Sequence, residues 1–465
     1  MDYAGRNAIV LGLGLTGFSL ARHLAVRGAR VTVADTRPAP PFADRLRAAL
    51  PEVRVVTGAL ADATLAGADL IAISPGVAKS EPPIAAAVAR GVELVGDVEL
   101  FARVLPPDQK VLAITGSNGK TTVTALTGAL CRAAGLSTIV AGNIGDAVLD
   151  TLETVVKGAG RPVWPDVFVL ELSSFQLETT ASLEPTAATV LNVTENHLDR
   201  YAGMDDYASA KARIFKGGGM QVLNRDDPRS AAMRIAGRVV ETFGADVPLA
   251  EGEWGLVARG GDGRDVWLAR GGALLTPVAD LELIGRHNAL NALAALALVS
   301  AVAKISRHVL AALTRFQGLP HRMQRIAEEG GVLYVDDSKG TTVAATQVAL
   351  EGLGRPVVLI AGGQSKGQDF APLKPIVDTR CRAVLLIGRD APQIERALAG
   401  TKASVEQLGT LDAAVTRAVE LARPGDAVVL SPACASLDQF SDYVERGERF
   451  AAQVRAHLKE TTLHA

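Results

Sequence analysis

The stretch that decides the fold is residues 110–122, which read KVLAITGSNGKTT. The apolar run Lys110–Ile114 predicts a buried strand, and the turn Thr115–Gly119 leads from it into a predicted helix that ends near Ala134. Backbone amides and the positive end of the helix dipole at such a turn bind phosphate groups. The order of strand, loop and helix therefore predicts a phosphate-binding loop in an α/β domain.

The side chains of this loop suit a nucleoside triphosphate and its metal ion. Lys120 can reach the terminal phosphates, and the Thr121 hydroxyl can bind Mg²⁺. Phosphate loops commonly begin with a glycine where this chain has Ile114, so the match is one position short. The alternative is a lysine that merely follows a glycine turn. The candidate nucleotide-binding residues are Gly116, Asn118, Gly119, Lys120, Thr121 and Thr122.

Polar residues follow two later strands of the same predicted sheet. Glu171 ends the apolar run Val167–Leu170, where a carboxylate beside a phosphate loop suits Mg²⁺ or a positioned water. The alternative for this residue is an ordinary exposed carboxylate. His197 follows the next apolar run, 187–193, and is either a ligand for metal or phosphate or a satisfied structural histidine.

Three other polar residues are ambiguous from their local pattern. Lys211 lies on a predicted helix after Tyr207, where a lysine is normally a solvated surface residue. Asn288 and Asn291 share one face of a predicted helix, 287–303, where two amides can bind a purine edge. The alternative is that one asparagine caps the helix and the other is solvated.

A second glycine motif opens the chain. Gly12, Gly14 and Gly17 lie between a predicted strand and a predicted helix. Asp35 ends the next predicted strand, 30–34. Such a turn brings a phosphate to a helix N-terminus, which suits a dinucleotide cofactor or another nucleotide; the alternative is a tight turn in an α/β core.

Composition limits the architecture and the class of partner. A length of 465 residues suggests about three domains, and 48% hydrophobic residues exclude a chain that is disordered throughout. A formal charge of −2 argues against a nucleic-acid binder. Three scattered cysteines, no basic leader and no long apolar segment predict a cytoplasmic protein that does not insert into a membrane.

Three α/β units are predicted, divided at Pro106–Asp108 and at Gly318–Pro320. The first and third have the strand and helix alternation of Rossmann-like domains, and the second is a mononucleotide-binding domain of the phosphate-loop type. Runs broken by glycine within 255–282 predict an antiparallel β excursion in the second. The predicted domains are residues 1–106, 107–317 and 318–465.

The third unit carries polar loops after its predicted strands. Two of these loops, 336–342 and 362–366, contain a lysine, and the third, 431–440, is rich in hydroxyl groups. Loops that follow parallel strands meet at one sheet edge, so the pattern predicts a pocket for a small acidic ligand. Cys434 is interpreted as a packed thiol rather than a nucleophile, because no histidine is near it in sequence.

In combination, these motifs resemble the Mur ligases, which build the peptide stem of bacterial peptidoglycan. The resemblance extends in order over nearly the whole chain. The shared motifs are TGSNGKTT (115–122), ELSSFQ (171–176), NVTENHLDR (192–200), HNALN (287–291), LPHR (319–322) and DSK (337–339). Two terminal motifs, GLGLTG (12–17) and SPACASLDQF (431–440), are most similar to the family members that add D-glutamate.

The resemblance implies an ADP-forming ligase of the bacterial cytoplasm that joins D-glutamate to UDP-N-acetylmuramoyl-L-alanine in peptidoglycan precursor synthesis. ATP would convert the alanyl carboxylate to an acyl phosphate, which the D-glutamate amine then attacks. A monomer with two Mg²⁺ sites is expected. The alternatives are another Mur ligase or a folylpolyglutamate synthase with a different acceptor. From the residues alone, a nicotinamide dehydrogenase and a non-catalytic nucleotide switch also remain.

The resemblance also implies roles for individual residues. The UDP-sugar would contact Leu15, Thr16, Asp35, Thr36, Arg37, Ser74, Asn143, Ser173 and Gln176. ATP would lie between the second and third domains and contact the phosphate loop together with Asn288, Asn291, Arg322 and Asp337. The D-glutamate would contact Lys339, Thr341, Lys366, Ser436 and Tyr443. The catalytic residues would be Lys120, Glu171, His197 and Lys211, and the metal ligands Thr121, Glu171, His197 and Lys211.

One implied feature and two departures concern these roles. Under the resemblance Lys211 is carbamylated by CO₂, which turns a cation into an anionic oxygen ligand for a hard divalent ion. Asn196 stands where an acid is expected before His197, so the charge around that histidine differs from the family pattern. Tyr443 stands where the family often has phenylalanine.

Overall fold

A computed structural model of the chain describes residues 2–156, 162–196, 200–260, 265–365 and 367–463. The strands of these residues form sheets of five, nine and six strands. Among the same residues, no helix is both long and apolar enough to cross a membrane. The chain divides into two compact units: the first comprises Met1–Arg259, Trp267–Leu275 and Asn291–Ala312, and the second Gly260–Val266, Thr276–Leu290 and Leu313–Ala465.

The five-stranded sheet is parallel and belongs to the first unit. Its strands are β1 (Asn7–Leu11), β2 (Arg30–Asp35), β3 (Arg54–Thr57), β4 (Leu70–Ile73) and β5 (Glu93–Val95), in the order β3-β2-β1-β4-β5. Its helices are α1 (Leu15–Val26), α2 (Ala43–Ala49), α3 (Pro82–Ala89) and α4 (Asp97–Ala102). The buried apolar strands were predicted from sequence; β3 and β5, which are short and partly exposed, were not.

The nine-stranded sheet carries the phosphate loop. Its strands are β6 (Lys110–Thr115), β7 (Thr138–Gly142), β8 (Val167–Glu171), β9 (Ala187–Val190), β10 (Met220–Asn224), β11 (Val240–Phe243), β12 (Glu253–Arg259), β13 (Asp265–Arg270) and β14 (Ala273–Pro277). Their order is β14-β13-β12-β11-β10-β9-β6-β8-β7. A two-residue turn joins β13 to β14, a connection that only antiparallel neighbours permit, as predicted for 255–282.

Among the described residues, seven α-helices lie between β6 and the first strand of the next sheet. They are α5 (Lys120–Ala133), α6 (Val148–Val156), α7 (Ser174–Glu178), α8 (Met204–Ala212), α9 (Pro228–Ala232), α10 (Arg286–Ser300) and α11 (Arg307–Arg315). Strand β6 pairs in parallel with β8 on one side and β9 on the other. The loops that follow these three strands therefore meet at one edge of the sheet, which is where ligands bind in open α/β folds.

The six-stranded sheet belongs to the second unit. Its strands are β15 (Gln324–Glu329), β16 (Val332–Asp336), β17 (Val357–Gly362), β18 (Cys381–Ile387), β19 (Ser404–Gly409) and β20 (Ala427–Leu430), in the order β15-β16-β20-β17-β18-β19. Its helices are α12 (Val343–Gly352), α13 (Leu373–Arg380), α14 (Ala391–Ala397), α15 (Leu411–Leu421) and α16 (Tyr443–Leu463). Strand β15 is antiparallel to β16, and the other pairs are parallel.

Strands β16, β20 and β17 are neighbours in the second unit, so the three polar loops that follow them lie side by side. These are the loops that the sequence marks as a pocket for an acidic ligand. Strands β15 and β19 were not predicted, because both are largely exposed and rich in charged or polar residues, which weakens the hydrophobic pattern of a strand.

Candidate active site

The phosphate loop ends in a glycine that the backbone requires. Gly119 precedes α5 with a left-handed conformation (φ 82°), which residues with a side chain rarely adopt. A Cβ at this position would also lie 2.8 Å from Oδ1 of Asn291, which begins the part of α10 that belongs to the first unit. The structure thus brings the predicted nucleotide residue Asn291 next to the loop.

Side chains clamp the phosphate loop to the loop that follows β9. The Asn118 backbone N–H donates to Asn192 Oδ1 (2.8 Å), and Asn192 Nδ2 donates to the Asn118 carbonyl (3.2 Å). The Ser117 hydroxyl donates to the Thr194 carbonyl and accepts from the Thr194 N–H, both at 3.0 Å. Each clamp is reciprocal, so the two loops hold a fixed spacing.

Two lysines converge on one carbonyl inside this loop. Nζ of Lys120 lies 2.8 Å and Nζ of Lys211 lies 2.9 Å from the oxygen of Gly116, and both donate to it. Lys211 is 1% exposed, so its interpretation as a solvated surface lysine is wrong. The other charged residues of α8 are exposed, and only Lys211 is buried, because it faces the phosphate loop. Burial, and then the charge of Lys120, lower the pKa of Lys211 to about 6.

An aromatic ring lies against the amine of the buried lysine. Nζ of Lys211 lies 4.5 Å from the centroid of the Tyr207 ring, and the Tyr207 hydroxyl lies 3.4 Å from the Ser117 hydroxyl. Tyr207 therefore shields the amine from water on one side and contacts the phosphate loop on the other.

Glu171 is the carboxylate that fits a cation at this edge. It is 1% exposed, and Oε1 accepts from Asn143 Nδ2 at 3.0 Å. Its other oxygen, Oε2, is buried and has no hydrogen-bond partner among the described residues. A buried carboxylate oxygen without a donor is satisfied by a metal ion, and hard divalent ions prefer oxygen ligands. The residues present therefore fit Mg²⁺.

The remaining predicted metal ligands are placed unequally. Thr121 is the second residue of α5 and is partly exposed at the loop. His197 lies outside the described residues. Asn196, the residue before it, is exposed. Within the described ranges no cluster of three histidine, cysteine or acidic residues could hold a metal, so a site here would need the hydroxyl or a modified lysine as well.

A cleft of about 470 Å³ lies at the carboxyl edge of the five-stranded sheet. Its lining includes seven of the residues predicted to contact the UDP-sugar, namely Leu15, Thr16, Asp35, Thr36, Arg37, Ser74 and Asn143. A cleft of this size accommodates a nucleotide-sized ligand.

An ion pair organises the cleft wall. Both carboxylate oxygens of Asp35 accept from Arg37, through Nε at 2.8 Å and Nη2 at 2.6 Å, and one also accepts from the Leu13 N–H at 2.6 Å. The hydrogen bonds from Arg37 are the main reason that the pKa of Asp35 falls to about 2. The carboxylate orders the turn, and the half-exposed guanidinium of Arg37 is left at the cleft.

Ser173 and Gln176 do not line this cleft; they form the cap of α7. Ser173 Oγ accepts from the Gln176 N–H, and Gln176 Oε1 accepts from the Ser173 N–H, which is a capping box. Gln176 Nε2 donates to Asp97 Oδ2 at 3.2 Å. Burial raises the pKa of Asp97 to about 6. These contacts show a structural role and leave the predicted sugar contact a prediction.

In the second unit, two neighbouring aspartates are buried where β16 ends, at Asp336 and Asp337. Asp337 accepts from the Ser431 hydroxyl (2.8 Å) and the Met323 N–H (3.2 Å), and burial raises its pKa to about 7. Asp336 Oδ2 lies 2.7 Å from Nδ1 of His321, whose backbone is left-handed (φ 63°). Burial likewise raises the pKa of Asp336.

Four of the five residues predicted to contact D-glutamate are described: Lys339, Thr341 and Ser436 lie on loops at this edge of the sheet, and Tyr443 begins α16. Lys339 Nζ donates to the Tyr443 hydroxyl at 3.1 Å, and Ser436 is buried. Thr341 is partly exposed at the same edge, and Lys366 lies outside the described residues.

Three other residues that the sequence singles out have clear surroundings in the second unit. Asn288 is buried, so it is not the solvated residue of the structural alternative, and it donates from Nδ2 to the Ile284 carbonyl; its contact with ATP stays a prediction. Cys434 is fully buried, and burial raises its pKa to about 12, which agrees with a packed thiol. Arg322 is partly exposed, and its charge lowers the pKa of Asp337 against the effect of burial.

Three family models match most of the chain. They are the Mur ligase MurD-like N-terminal domain at residues 6–96, the Mur ligase middle domain at 114–299, and the Mur ligase glutamate ligase domain at 321–434. A UDP-N-acetylmuramoylalanine--D-glutamate ligase of Thiobacillus denitrificans is 53% identical, covering 98% of this chain and 97% of the relative. The chain belongs to the Mur ligase family.

A second relative supports the family, and two solved structures have a similar fold. An enzyme of the same name from Aromatoleum aromaticum is 53% identical over 97% of both chains. UDP-N-acetylmuramate-alanine ligase MurC from Thermotoga maritima, at 19% identity, superposes with a TM-score of 0.55 over 97% of this chain and 99% of that one. MurF from Acinetobacter baumannii, at 16% identity, gives 0.56 over 97% and 91%. The predicted family, ligase class and three-domain α/β fold are confirmed.

Sequence reasoning missed two residues that organise this Mur ligase. Asn192 lies inside a quoted motif but was given no role; only the loop geometry shows that its amide clamps Asn118. Arg446 is fully buried and donates to the Ser338 and Cys434 carbonyls at 2.8 and 3.1 Å. A signal for it was available, because Arg446 shares a helix face, at steps of four, with the buried apolar Phe450 and Val454.

Proposed function

We propose that this Mur ligase joins D-glutamate to UDP-N-acetylmuramoyl-L-alanine with conversion of ATP to ADP and phosphate. The observation that carries the proposal is the similarity over the whole chain to relatives that are named D-glutamate ligases, about half of whose residues are identical. The glutamate ligase model at 321–434 and the lysine-bearing loops of the second unit support the same acceptor.

The phosphate loop is proposed to bind ATP. Lys120 places an ammonium at the loop, Thr121 a hydroxyl, and Asn291 an amide beside Gly119. Their positions suit the terminal phosphates and a neighbouring polar group of the nucleotide. Asn288, Arg322 and Asp337 stay predicted ATP contacts from the resemblance.

Two Mg²⁺ ions are proposed to bind at this edge, held by Glu171, Thr121, His197 and a modified Lys211. Bound Mg²⁺ supplies positive charge that stabilises a phosphoryl group during transfer. The orphaned Oε2 of Glu171 supports the first site. For the second, the low pKa of Lys211 leaves a neutral amine at pH 7. That amine can attack CO₂: an N–C bond forms and one proton leaves to solvent, giving an anionic carbamate.

The chain's own residues account for the two chemical steps. The alanyl carboxylate attacks the γ-phosphate of ATP, ADP leaves, and an acyl phosphate forms. The amine of D-glutamate then attacks the acyl carbon, phosphate leaves, and the amine loses a proton. Lys120 stabilises charge in the first step. We propose that Lys339, Thr341, Lys366, Ser436 and Tyr443 hold the amino acid for the second.

The cleft of the five-stranded sheet is proposed to bind the UDP part of the sugar substrate. Seven predicted contact residues share its wall, and Arg37 presents a guanidinium to it, which suits uracil or the diphosphate. We also propose the domain division 1–106, 107–317 and 318–465. The protein is proposed to be a monomer, which a molecular mass of 48.3 kDa by light scattering would support.

The test is phosphate release from ATP with UDP-N-acetylmuramoyl-L-alanine while the amino acid is varied. We expect release with D-glutamate and none above background with L-glutamate, L-alanine, a diamino acid or a dipeptide. A control without the UDP-sugar measures uncoupled hydrolysis. Release that follows another amino acid, or that ignores D-glutamate, would overturn the assignment.

A further inference from the structure

Tyr443, the first residue of α16, contacts neighbouring residues through its hydroxyl, its carbonyl and its ring. Its hydroxyl accepts from Nζ of Lys339 at 3.1 Å. Its carbonyl accepts from the Ser338 hydroxyl at 2.7 Å. Its ring and the ring of His321 are nearly perpendicular, with centroids 6.0 Å apart and planes at 77°. Tyr443 is thus held at both ends of the residue.

The loop that carries Lys339 is held independently. Nε of Arg446 donates to the Ser338 hydroxyl (3.0 Å), Nη2 of Arg446 donates to the Ser338 carbonyl (2.8 Å), and the Lys339 N–H donates to the His321 carbonyl (3.0 Å). The backbone of Lys339 and the ring of Tyr443 therefore have fixed relative positions. What remains free without a partner is the lysine's own flexible stem, which has four rotatable bonds.

The tyrosine hydroxyl removes that freedom. Nζ of Lys339 lies 4.8 Å from the ring centroid as well as 3.1 Å from the hydroxyl oxygen. A ring face alone attracts an ammonium but leaves it free to slide, whereas a hydrogen bond sets both a direction and a distance. Phenylalanine, which the sequence resemblance led us to expect at this position, would supply the face only.

We propose that the hydroxyl of Tyr443 is a positioning group that orients the Lys339 ammonium toward a carboxylate of the incoming acidic amino acid. Lys339 has three N–H donors, and the tyrosine takes one, so two stay available for a carboxylate. This inference rests on the proposed function, since it takes the loops of the second unit as the amino-acid site. It adds a task for one oxygen atom that the expected phenylalanine lacks.

The first experiment is Tyr443→Phe in the full-length enzyme, with D-glutamate varied at saturating ATP and UDP-sugar. Loss of a hydrogen bond to a charged group should raise KM for D-glutamate roughly five- to tenfold. The turnover number and the KM for ATP should stay within about twofold, because only ground-state positioning changes. Tyr334→Phe removes the same atom from β16 and serves as the matched control, with no expected change in KM.

The second experiment is a double-mutant cycle with Lys339→Met, which keeps the stem and removes the charge. In the Lys339→Met background, Tyr443→Phe should not raise KM for D-glutamate further, because the hydroxyl acts through the ammonium. Additive effects of the two changes, or equal rises in KM for all three substrates, would overturn the inference by indicating a general structural role.

The two proposals fail in different ways. If the wild type shows no phosphate release that depends on D-glutamate, the proposed function fails and the inference fails with it. If the wild type responds to D-glutamate and Tyr443→Phe has the wild-type KM, the inference alone is wrong.

Discussion

Two regions of this Mur ligase carry its predicted chemistry and are built in different ways. The phosphate-loop cluster, residues 115–122 and 191–194, is built around one continuous loop between β6 and α5, and the segment after β9 supports that loop. The amino-acid cluster, residues 336–341 and 431–446, joins the ends of separate strands to a helix near the end of the chain. A continuous stretch can be recognised from residue order alone, whereas a cluster from distant segments depends on how the chain packs.

Burial also separates the two regions. Asn118 is exposed and Asn192 is partly exposed, so water can replace the bonds of that clamp. In the amino-acid cluster Asp336, Ser338, Ser431 and Arg446 are fully buried. Water cannot replace a lost partner there, so a buried polar group that loses its bond lowers stability as well as activity.

The largest expected effect is in the phosphate-loop cluster. Lys120→Ala should lower turnover by at least about a thousandfold, because a fixed positive charge at the transferring phosphate is lost. Phosphate release measures it. Lys110→Ala is the matched control: it removes an exposed lysine from the opposite end of β6 and should leave turnover unchanged. Comparable losses in both variants would contradict a special role for Lys120.

The next effect tests the amino-acid cluster. Arg446→Met should lower the free energy of unfolding by ~3 kcal/mol, because the buried Ser338 and Cys434 carbonyls lose their donors. Urea denaturation followed by circular dichroism measures it. Arg449→Met on the same helix removes an exposed pair with Asp412 and should cost far less, because water screens exposed ion pairs. Equal losses in the two variants would contradict the prediction that burial sets the cost of losing a hydrogen bond in the amino-acid cluster.

Lys211, which is buried beside the phosphate-loop cluster, predicts a pH dependence of stability. Its pKa is about 6 in the fold and ordinary in the unfolded chain. Between these values the unfolded state binds more protons, so the free energy of unfolding should rise with pH above about 6, by up to about 1.4 kcal/mol per unit. Lys211→Met should remove that rise.

Denaturant titrations at several pH values in CO₂-free buffer measure the slope, since a carbamate would itself change the charge of Lys211. Lys216→Met, an exposed lysine in the next turn of chain, is the control and should keep the wild-type slope. A slope that survives in Lys211→Met would mean that another group is responsible.

A smaller effect is expected from the loop clamp. Asn192→Ala releases both backbone groups of Asn118 and should raise KM for ATP about tenfold, because the loop must be ordered on binding. Asn192→Asp keeps the acceptor for the Asn118 N–H and loses the donor, so its KM for ATP should lie between those of the wild type and Asn192→Ala. An unchanged KM in Asn192→Ala would show that the loop is ordered without the clamp.

The smallest effect concerns the cap of α7. Ser173→Ala should lower the free energy of unfolding by about 1 kcal/mol, as for other lost helix caps. Thermal unfolding measures this. If Ser173 also contacts the sugar substrate, KM for UDP-N-acetylmuramoyl-L-alanine should rise in the same variant. Lower stability with an unchanged KM would restrict this serine to the cap.

Prediction from sequence succeeded where the pattern is local. The buried strands β1, β6 and β8 show apolar runs that end in glycine or acidic residues, and the loops after them follow from that order. It failed where burial comes from a distant partner. Lys211 looked solvated because a single lysine on a helix is usually exposed, yet it is buried and donates to a carbonyl of the phosphate loop.

The sequence by itself determined the family, the α/β fold, the phosphate loop and most of the wall of the proposed UDP cleft. The strands and the phosphate loop depend on residues close in the chain, whose backbone preferences and apolar periodicity act locally. The family and the cleft wall followed from motifs recognised along the whole sequence. Only the tertiary structure decided that Lys211 is buried, that Asn192 clamps Asn118, and that Tyr443 bonds Lys339. Those contacts join segments far apart in sequence, and packing alone sets the distances between them.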